Sequence, residues 1–281
     1  FSIFNYQLQM VLFPNCKINI GLQVVNKRAD GFHNIETIFY PVDLKDAVEI
    51  IEHKENNNPV DYSQTGSPIP GNTNDNLCVK AFHLLKKDFP QLPNIKMHLH
   101  KVIPMGAGLG GGSSNAAFVL KLLNKKFSLN LTTEQLISYA LRLGSDCPFF
   151  ILNKPCYATG RGEMLEEISL DLSAYRILLV NPGIHINTGW AFTNIKPAPA
   201  AVNLKELVNM PIQSWQQHIK NDFEKAVFEA EPAIGEIKSE LLTNGALYAA
   251  MSGSGSSVFG IFNKKTTADI KFPAHYFHKW V

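Results

Sequence analysis

The chain has 281 residues, of which 45% are hydrophobic and 18% charged, enough for one large or two ordinary domains with real cores. A formal net charge of +2 gives no electrostatic reason to bind nucleic acid or an anionic membrane, and no apolar run approaches membrane-spanning length. The chain opens at Phe1, Met10 is a candidate start that would make residues 1–9 an upstream remnant, and no leader pattern is read, so a cytoplasmic protein is expected.

In chain order, MVLFPNCKINIGLQVV (10–25) alternates as a strand. Cys16, Ile18, Ile20 and Leu22 share one face, and Lys17, Asn19 and Gly21 share the other. Lysine beside asparagine on a strand face is either a solvated surface or a functional pair. Asp30-Gly31 predicts a tight turn leading to Phe32-His33, and two strand-like runs flank Asp43 and Asp46. Residues 53–76 are polar and rich in Asn and Pro. They predict a loop or irregular hairpin around VDYSQT, followed by a helix at LCVKAFHLLKKDF. The run NIKMHLHKVI predicts a strand, with His98 and His100 on one face and no third metal ligand in sight. An ordinary histidine pair is expected there.

Residues 104–117 then read PMGAGLGGGSSNAA, with glycine at 106, 108, 110, 111 and 112. Such a stretch cannot continue a strand, but it can bring bare backbone amides against a ligand. The following SSNAAFVLKLLNKKF predicts a helix with a serine N-cap. Strand, glycine loop and helix N-terminus form a layout that holds phosphate. GxGxxG is satisfied, but the acidic ribose partner of a dinucleotide fold is represented only by Glu134 at the start of the next helix. A P-loop is excluded because no lysine closes the loop before Ser113-Ser114. The phosphate charge must be met by amides, the helix dipole, a metal and a lysine from elsewhere.

Next, TTEQLISYALRLG predicts a helix with a Thr132–Gln135 capping box, ended by Gly144. Asp146 either caps the following short helix, with Pro148 in its first turn, or is catalytic. From about residue 165 a strand (ISLDLSAYRILLVNPG) leads through INTGWAF to the linker IKPAPAA. Helices are predicted near 203–209, 212–229 and 232–243. Two short apolar runs then flank Gly253-Ser254-Gly255-Ser256-Ser257, which either turns a hairpin or approaches the same ligand as the first loop. Cys16, Cys78, Cys147 and Cys156 have no zinc-ligand spacing and are expected to be reduced thiols. Strands alternating with helices argue for an α/β or α+β layer architecture.

The segments KINIGL, RADGFHNIETIF, NLCVKA, PMGAGLGGGSSNAA, GSDCPFF, ATGRGE, NDFE and MSGSGSSVFG together resemble a known superfamily. It comprises the galactokinases, homoserine kinases, mevalonate kinases and phosphomevalonate kinases (GHMP kinases). DGFH, ATGRGE and GSDCPFF resemble its branch acting on a cytidine-diphosphate-bearing methylerythritol of the non-mevalonate isoprenoid pathway. The resemblance implies an α+β, two-domain architecture, with an S5-like N-terminal domain over 1–165 and a ferredoxin-like C-terminal domain over 166–281. It implies transfer of the γ-phosphoryl of ATP, with Mg2+, to the 2-hydroxyl of that small-molecule substrate. No nucleic acid or membrane partner is implied, and the protein is expected to be a monomer or homodimer.

The same resemblance implies the site residues. Lys17 and Asp146 fall on the catalytic pair. Pro104, Met105, Gly106, Ala107, Gly108, Leu109, Gly110, Gly111, Gly112, Ser113 and Ser114 form the ATP loop, with Asn76 and Lys101 near the nucleotide. Asn19, Phe32, His33, Thr188 and Phe192 fall on the substrate side, and Phe32 stands where tyrosine is usual. No acidic Mg2+ ligand is identified. Chemically, Asp146 suits a base that accepts the hydroxyl proton, and Lys17 suits a cation that favours the ionised carboxylate and steadies the oxygen. Two other readings remain: a kinase of the superfamily with another acceptor (homoserine, mevalonate, a sugar), and a non-catalytic ATP-binding regulator of the same fold.

Overall fold

Two sets of strands and helices, interleaved along the chain, build the protein as a computed structural model. It describes residues 10–53, 58–200, 202–266 and 269–281. Residues 1–9, whose origin the sequence raised, lie outside the described residues. Among the described residues, one compact unit comprises residues 10–15, Lys45–Ile103 and Gly111–Leu152. The other comprises Cys16–Leu44, Pro104–Gly110 and Asn153–Val281.

In the first unit, β1 (Met10–Leu12), β4 (Ala47–Glu52), β5 (Val60–Gly66) and β6 (Ile95–Lys101) form a sheet in the order β1-β4-β6-β5. Alternation in β6 buries Ile95, Met97, Leu99 and Lys101 and turns Lys96 and His100 outward. His98 and His100 bond to Thr65 at 3.0 and 2.9 Å. Among the described residues no cluster of three His, Cys, Asp or Glu could hold a metal. VDYSQT is not a hairpin: it forms β5, parallel to β6, with Val60 opposite Ile95 and Thr65 opposite His100. Its alternation is faint because β5 is an edge strand with most side chains in water, so backbone pairing defines it.

Helices α1 (Leu77–Asp88), α2 (Gly111–Lys126), α3 (Thr133–Leu141) and α4 (Cys147–Leu152) complete this unit. The Thr132–Gln135 capping box is present in full. Helix α2 starts at Gly111, so Ser113 lies inside the first turn rather than capping it. A side chain at 111 would displace its neighbours: a Cβ there would lie 2.9 Å from Lys101 Nζ and 3.0 Å from Ile103.

The second unit holds two sheets. β2 (Asn15–Lys27), β3 (His33–Lys45), β7 (Cys156–Thr159) and β8 (Met164–Glu167) run in the order β2-β3-β7-β8. β9 (Tyr175–Asn181), β10 (Tyr248–Met251), β11 (Val258–Asn263) and β12 (Phe277–Trp280) form an antiparallel sheet ordered β10-β11-β9-β12. The helices are α5 (Thr188–Thr193), α6 (Leu204–Leu207), α7 (Ile212–His218), α8 (Glu224–Ala230) and α9 (Pro232–Thr243). One core joins Leu22, Val24 and Ile35 to Leu178, Val180 and Ile237. Each such side chain contributes roughly 1.5–3 kcal/mol by leaving water. The hairpin β7–β8 and strand β12 had no distinct pattern in the sequence. Among the described residues no helix is long and apolar enough to cross a membrane.

The single helix expected over 212–229 is two helices, because β2 captures the intervening backbone. Leu22 N donates to Lys220 O at 3.0 Å, Asp222 N donates to Leu22 O at 2.9 Å, and Val24 N donates to the Asp222 carboxylate at 2.8 Å. Asn221, 3% exposed, donates to the carbonyls of Met251 (2.7 Å) and Gly253 (2.8 Å) and accepts from Phe223 N at 3.0 Å. Replacing it with leucine strands three buried backbone groups. Chemical denaturation of Asn221→Leu should show a loss of about 2–4 kcal/mol in unfolding free energy. A loss below about 1 kcal/mol would mean these bonds do not hold the segment.

Candidate active site

The expected site residues fall into two groups, one within each unit. In the second unit, β2 carries Lys17 and Asn19 into the interior, where they are 3% and 1% exposed, so the solvated-face alternative does not hold. Lys17 Nζ donates to Asn19 Oδ1 and stands 4.8 Å from the centre of the Phe39 ring. Asn19 Nδ2 donates to Thr37 Oγ1 at 2.9 Å, and Thr37 in turn donates to Gly21 O at 2.5 Å. A chain of donors thus fixes the Asn19 amide, with its oxygen toward the ammonium.

The glycine loop packs on this strand and on the second small-residue loop. Lys17 N donates to Leu109 O at 3.0 Å, and Ser257 N donates to Ala107 O at 3.1 Å. Ser252 Oγ donates to Gly108 O at 2.9 Å and accepts from Asn19 N at 3.2 Å. Of the two roles the sequence left open for residues 252–257, the structure shows the first, the β10–β11 hairpin turn, and it adds a contact that braces the glycine loop. Gly108 has a φ of +75°, and a Cβ on it would lie 1.9 Å from Ser252 O. Only glycine fits.

The residues expected on the substrate side also lie in this unit. His33 stacks on Phe192, ring centres 4.8 Å apart and planes 11° from parallel, and Phe192 meets Phe223 edge-on. Partial burial, then the charge of Lys27, holds the His33 imidazole below its ordinary value. It is uncharged at neutral pH, with one nitrogen donating and one accepting. Phe32 is 55% exposed, and its ring lies 5.0 Å from the Arg161 guanidinium. Thr188 Oγ1 and Ser254 Oγ are 3.0 Å apart.

In the first unit, Asp146 immediately precedes α4, whose residues Cys147 to Ile151 are buried and which packs on α2. The Cys147 thiol shares a hydrogen bond with Ser113 in the first turn of α2, and burial pushes that thiol up to about 12. The loop helix and the segment bearing Asp146 are thereby tied side chain to side chain. Asn76 caps α1, accepting from Cys78 N at 2.9 Å and donating to the Tyr62 hydroxyl at 2.9 Å. Lys101 is fully buried against Asp46, with Nζ 2.5 Å from the carboxylate. Thr37 and Ser252 lie in segments that carry the resemblance, but nothing in the sequence indicated their contacts or those of Asp46.

These residues suit a nucleotide triphosphate. Ser114 Oγ is buried with no hydrogen-bond partner, in the first turn of the 16-residue α2. Beside it, Gly112 is open: the nearest atom to a Cβ there is Leu77 Cδ1 at 3.9 Å. An orphaned hydroxyl at the positive end of a helix is complementary to phosphate oxygens.

Comparison with known proteins identifies the family. Residues 76–154 match the GHMP kinases N terminal domain, and residues 203–272 match the GHMP kinases C terminal domain. This is the fold of an ATP-dependent small-molecule kinase, α+β with two domains. The chain is 51% identical over 258 residues to a 4-diphosphocytidyl-2-C-methyl-D-erythritol kinase of Bacteroides thetaiotaomicron, covering 92% of this chain and 94% of the relative. A crystal structure of a 4-(cytidine 5'-diphospho)-2C-methyl-D-erythritol kinase superposes with a TM-score of 0.76 at 27% identity, covering 90% of each chain. The Methanococcus jannaschii mevalonate kinase shares the fold, with a TM-score of 0.67 at 14% identity, covering 96% of this chain and 97% of that one. The chain belongs to the 4-diphosphocytidyl-2-C-methyl-D-erythritol kinase family.

The Gly108–Ser252 approach gives a direct test of the loop. Gly108→Ala should weaken ATP binding by about tenfold or more, since it adds a Cβ clash to a strained φ. Titration calorimetry on the folded variant checks this, and an unchanged ATP affinity would show that the loop does not need the close approach.

Proposed function

We propose that the protein transfers the γ-phosphoryl of ATP to the 2-hydroxyl of 4-diphosphocytidyl-2-C-methyl-D-erythritol, giving the 2-phosphate for non-mevalonate isoprenoid synthesis. The likeness to kinases of that name over nearly the whole chain carries this reading. In it, residues 1–165 supply the ATP loop and residues 166–281 form the second domain, in a monomer or homodimer.

An aliphatic hydroxyl is a poor nucleophile, and most of the barrier in phosphoryl transfer is met by positioning and charge stabilisation. Asp146 accepts the hydroxyl proton as the new P–O bond forms. The Lys17 ammonium, held by Asn19, stabilises negative charge on the reacting oxygens. Residues 104–114 present amides and the Ser113 and Ser114 hydroxyls to the triphosphate, and Asn76 and Lys101 flank the nucleotide. Mg2+ arriving with ATP would spread the triphosphate charge, and the two serine hydroxyls are the groups this loop offers toward it. His33, as a neutral imidazole, reads the cytosine edge, while Phe32, Phe192 and Thr188 shape its surroundings. Phe32 supplies a ring without the phenol hydroxyl, so recognition there is by stacking alone.

ADP release from ATP and Mg2+ tests the reading, with the cytidylyl acceptor in one arm and homoserine, mevalonate and galactose in others. Turnover confined to the cytidylyl compound is expected. Turnover with another acceptor would overturn the pathway, and silence with ATP bound would favour a regulator. Asp146→Asn should lower kcat by about a thousandfold or more with ATP affinity unchanged. A variant with near-normal kcat would remove Asp146 as the base.

His33 gives a pH test. Its folded value lies below the ordinary 6.5, so the neutral ring persists at pH 7 and is lost only as pH falls below that. The acceptor KM should be flat from about pH 7 to 8 and rise below about pH 6, while the ATP KM stays level. His33→Gln should abolish the acid rise; an unchanged profile would place the titration elsewhere.

A further inference from the structure

We infer that Asp46 is a positioning residue for nucleotide binding, a carboxylate that clamps both flanks of the glycine loop. It stands between β3 and β4, is 1% exposed, and both its oxygens are engaged. Oδ1 accepts from the backbone amides of Val102 (2.6 Å) and Ile103 (2.8 Å), the last two residues before the loop. Oδ2 accepts from Lys101 Nζ (2.5 Å) and from Asn115 Nδ2 (2.8 Å), the latter in the second turn of α2. One side chain therefore sets the separation between the end of β6 and the start of the helix that follows the loop.

The charge balance explains why the clamp is built this way. A buried ion pair is a poor choice for stability alone, since well-packed apolar residues in its place are often as stable or more so. What an apolar plug lacks is direction: four donors converging on two oxygens fix angles as well as distances. A lone carboxylate this close to an anion-binding helix end would repel phosphate. Lys101 cancels that repulsion from beneath Gly111, with Nζ 2.9 Å from where a Cβ would stand. A side chain at 111 would therefore press on the lysine. Asn115, 1% exposed, supplies the one neutral side-chain arm.

This inference rests on residues 104–114 being the ATP loop, and its test uses ATP without any acceptor, so the acceptor assignment does not enter. ATP with Mg2+ is titrated by calorimetry into wild type, Asp46→Asn and Asn115→Ala, with thermal unfolding measured in parallel. Asparagine at 46 would turn an amide donor toward either the Val102 and Ile103 amides or toward Lys101 and Asn115. We expect its ATP Kd to rise at least tenfold, although the loop's surroundings have become more positive. A purely electrostatic role would instead tighten ATP binding, and a purely structural one would lower Tm while leaving the Kd of the folded protein within twofold. Either of those results overturns the proposal. Asn115→Ala removes one arm and no charge, so it keeps the test decisive should Asp46→Asn not fold. A threefold or greater rise in Kd supports the clamp, and an unchanged Kd in the folded variant overturns it. Wild type that binds no ATP would sink the loop assignment and the clamp together, whereas failure of the acceptor alone would leave the clamp standing.

Discussion

The main chains at Gly108 and Ser252 come closer than any side chain at 108 would permit, and much of the second unit is arranged to hold that approach. Ser252 is placed by the amide of Asn19 and answers Gly108 with its hydroxyl. The segment around Ser252 is fixed in turn by Asn221, whose side chain takes the carbonyls on either side of it. Asn221 itself stands where β2 interrupts what would otherwise be one long helix. A broken helix, a hairpin loop, a polar strand and a glycine loop are therefore parts of one hydrogen-bonded structure. Losing any one of them leaves buried backbone groups without partners, which costs more than the bond itself contributes.

How much of this was legible in the sequence depends on the kind of signal each part leaves. The loop announced itself because bare glycines and a helix start are a local signature, and the alternation of β2 and β6 is likewise written residue by residue. Strand β5 was misread because an edge strand with a wet face needs no hydrophobic pattern; its partner supplies the order. The helix over 212–229 was misread because its interruption is imposed by β2, about 200 residues away in sequence, and local propensity carries no trace of such a contact. The start of α2 lies two residues earlier than the serine cap suggested, at a glycine packed against Lys101 and Ile103.

The site divides along the same line. Lys17, Asn19, His33 and Asp146 could be proposed from residue type and from resemblance, because their chemistry is their signal. Thr37, Ser252 and Asp46 could not. Thr37 and Ser252 lie in segments that carry the resemblance, but neither they nor Asp46 has a residue type that names its partner, and each matters through groups brought to it by the fold. Residues that act on substrate tend to be recognisable; residues that hold those residues in place are visible only in three dimensions.

This support has a consequence for where binding free energy goes. A loop rich in glycine has the most backbone freedom to lose, and if it were ordered only when nucleotide arrived, that cost would be subtracted from affinity. Here the loop's carbonyls at 107, 108 and 109 are each already bonded to Ser257, Ser252 and Lys17, and its flanks are fixed by Asp46. With the carbonyls turned toward protein donors, the ordering has been met by folding. The lysine whose backbone amide bonds Leu109 is the one whose ammonium is held by Asn19, so strand β2 supports the loop and aims a cation through a single residue. In the phosphoryl transfer proposed above, whose rate depends on alignment and on dipoles fixed before charge develops, that placement would be the fold's contribution to catalysis.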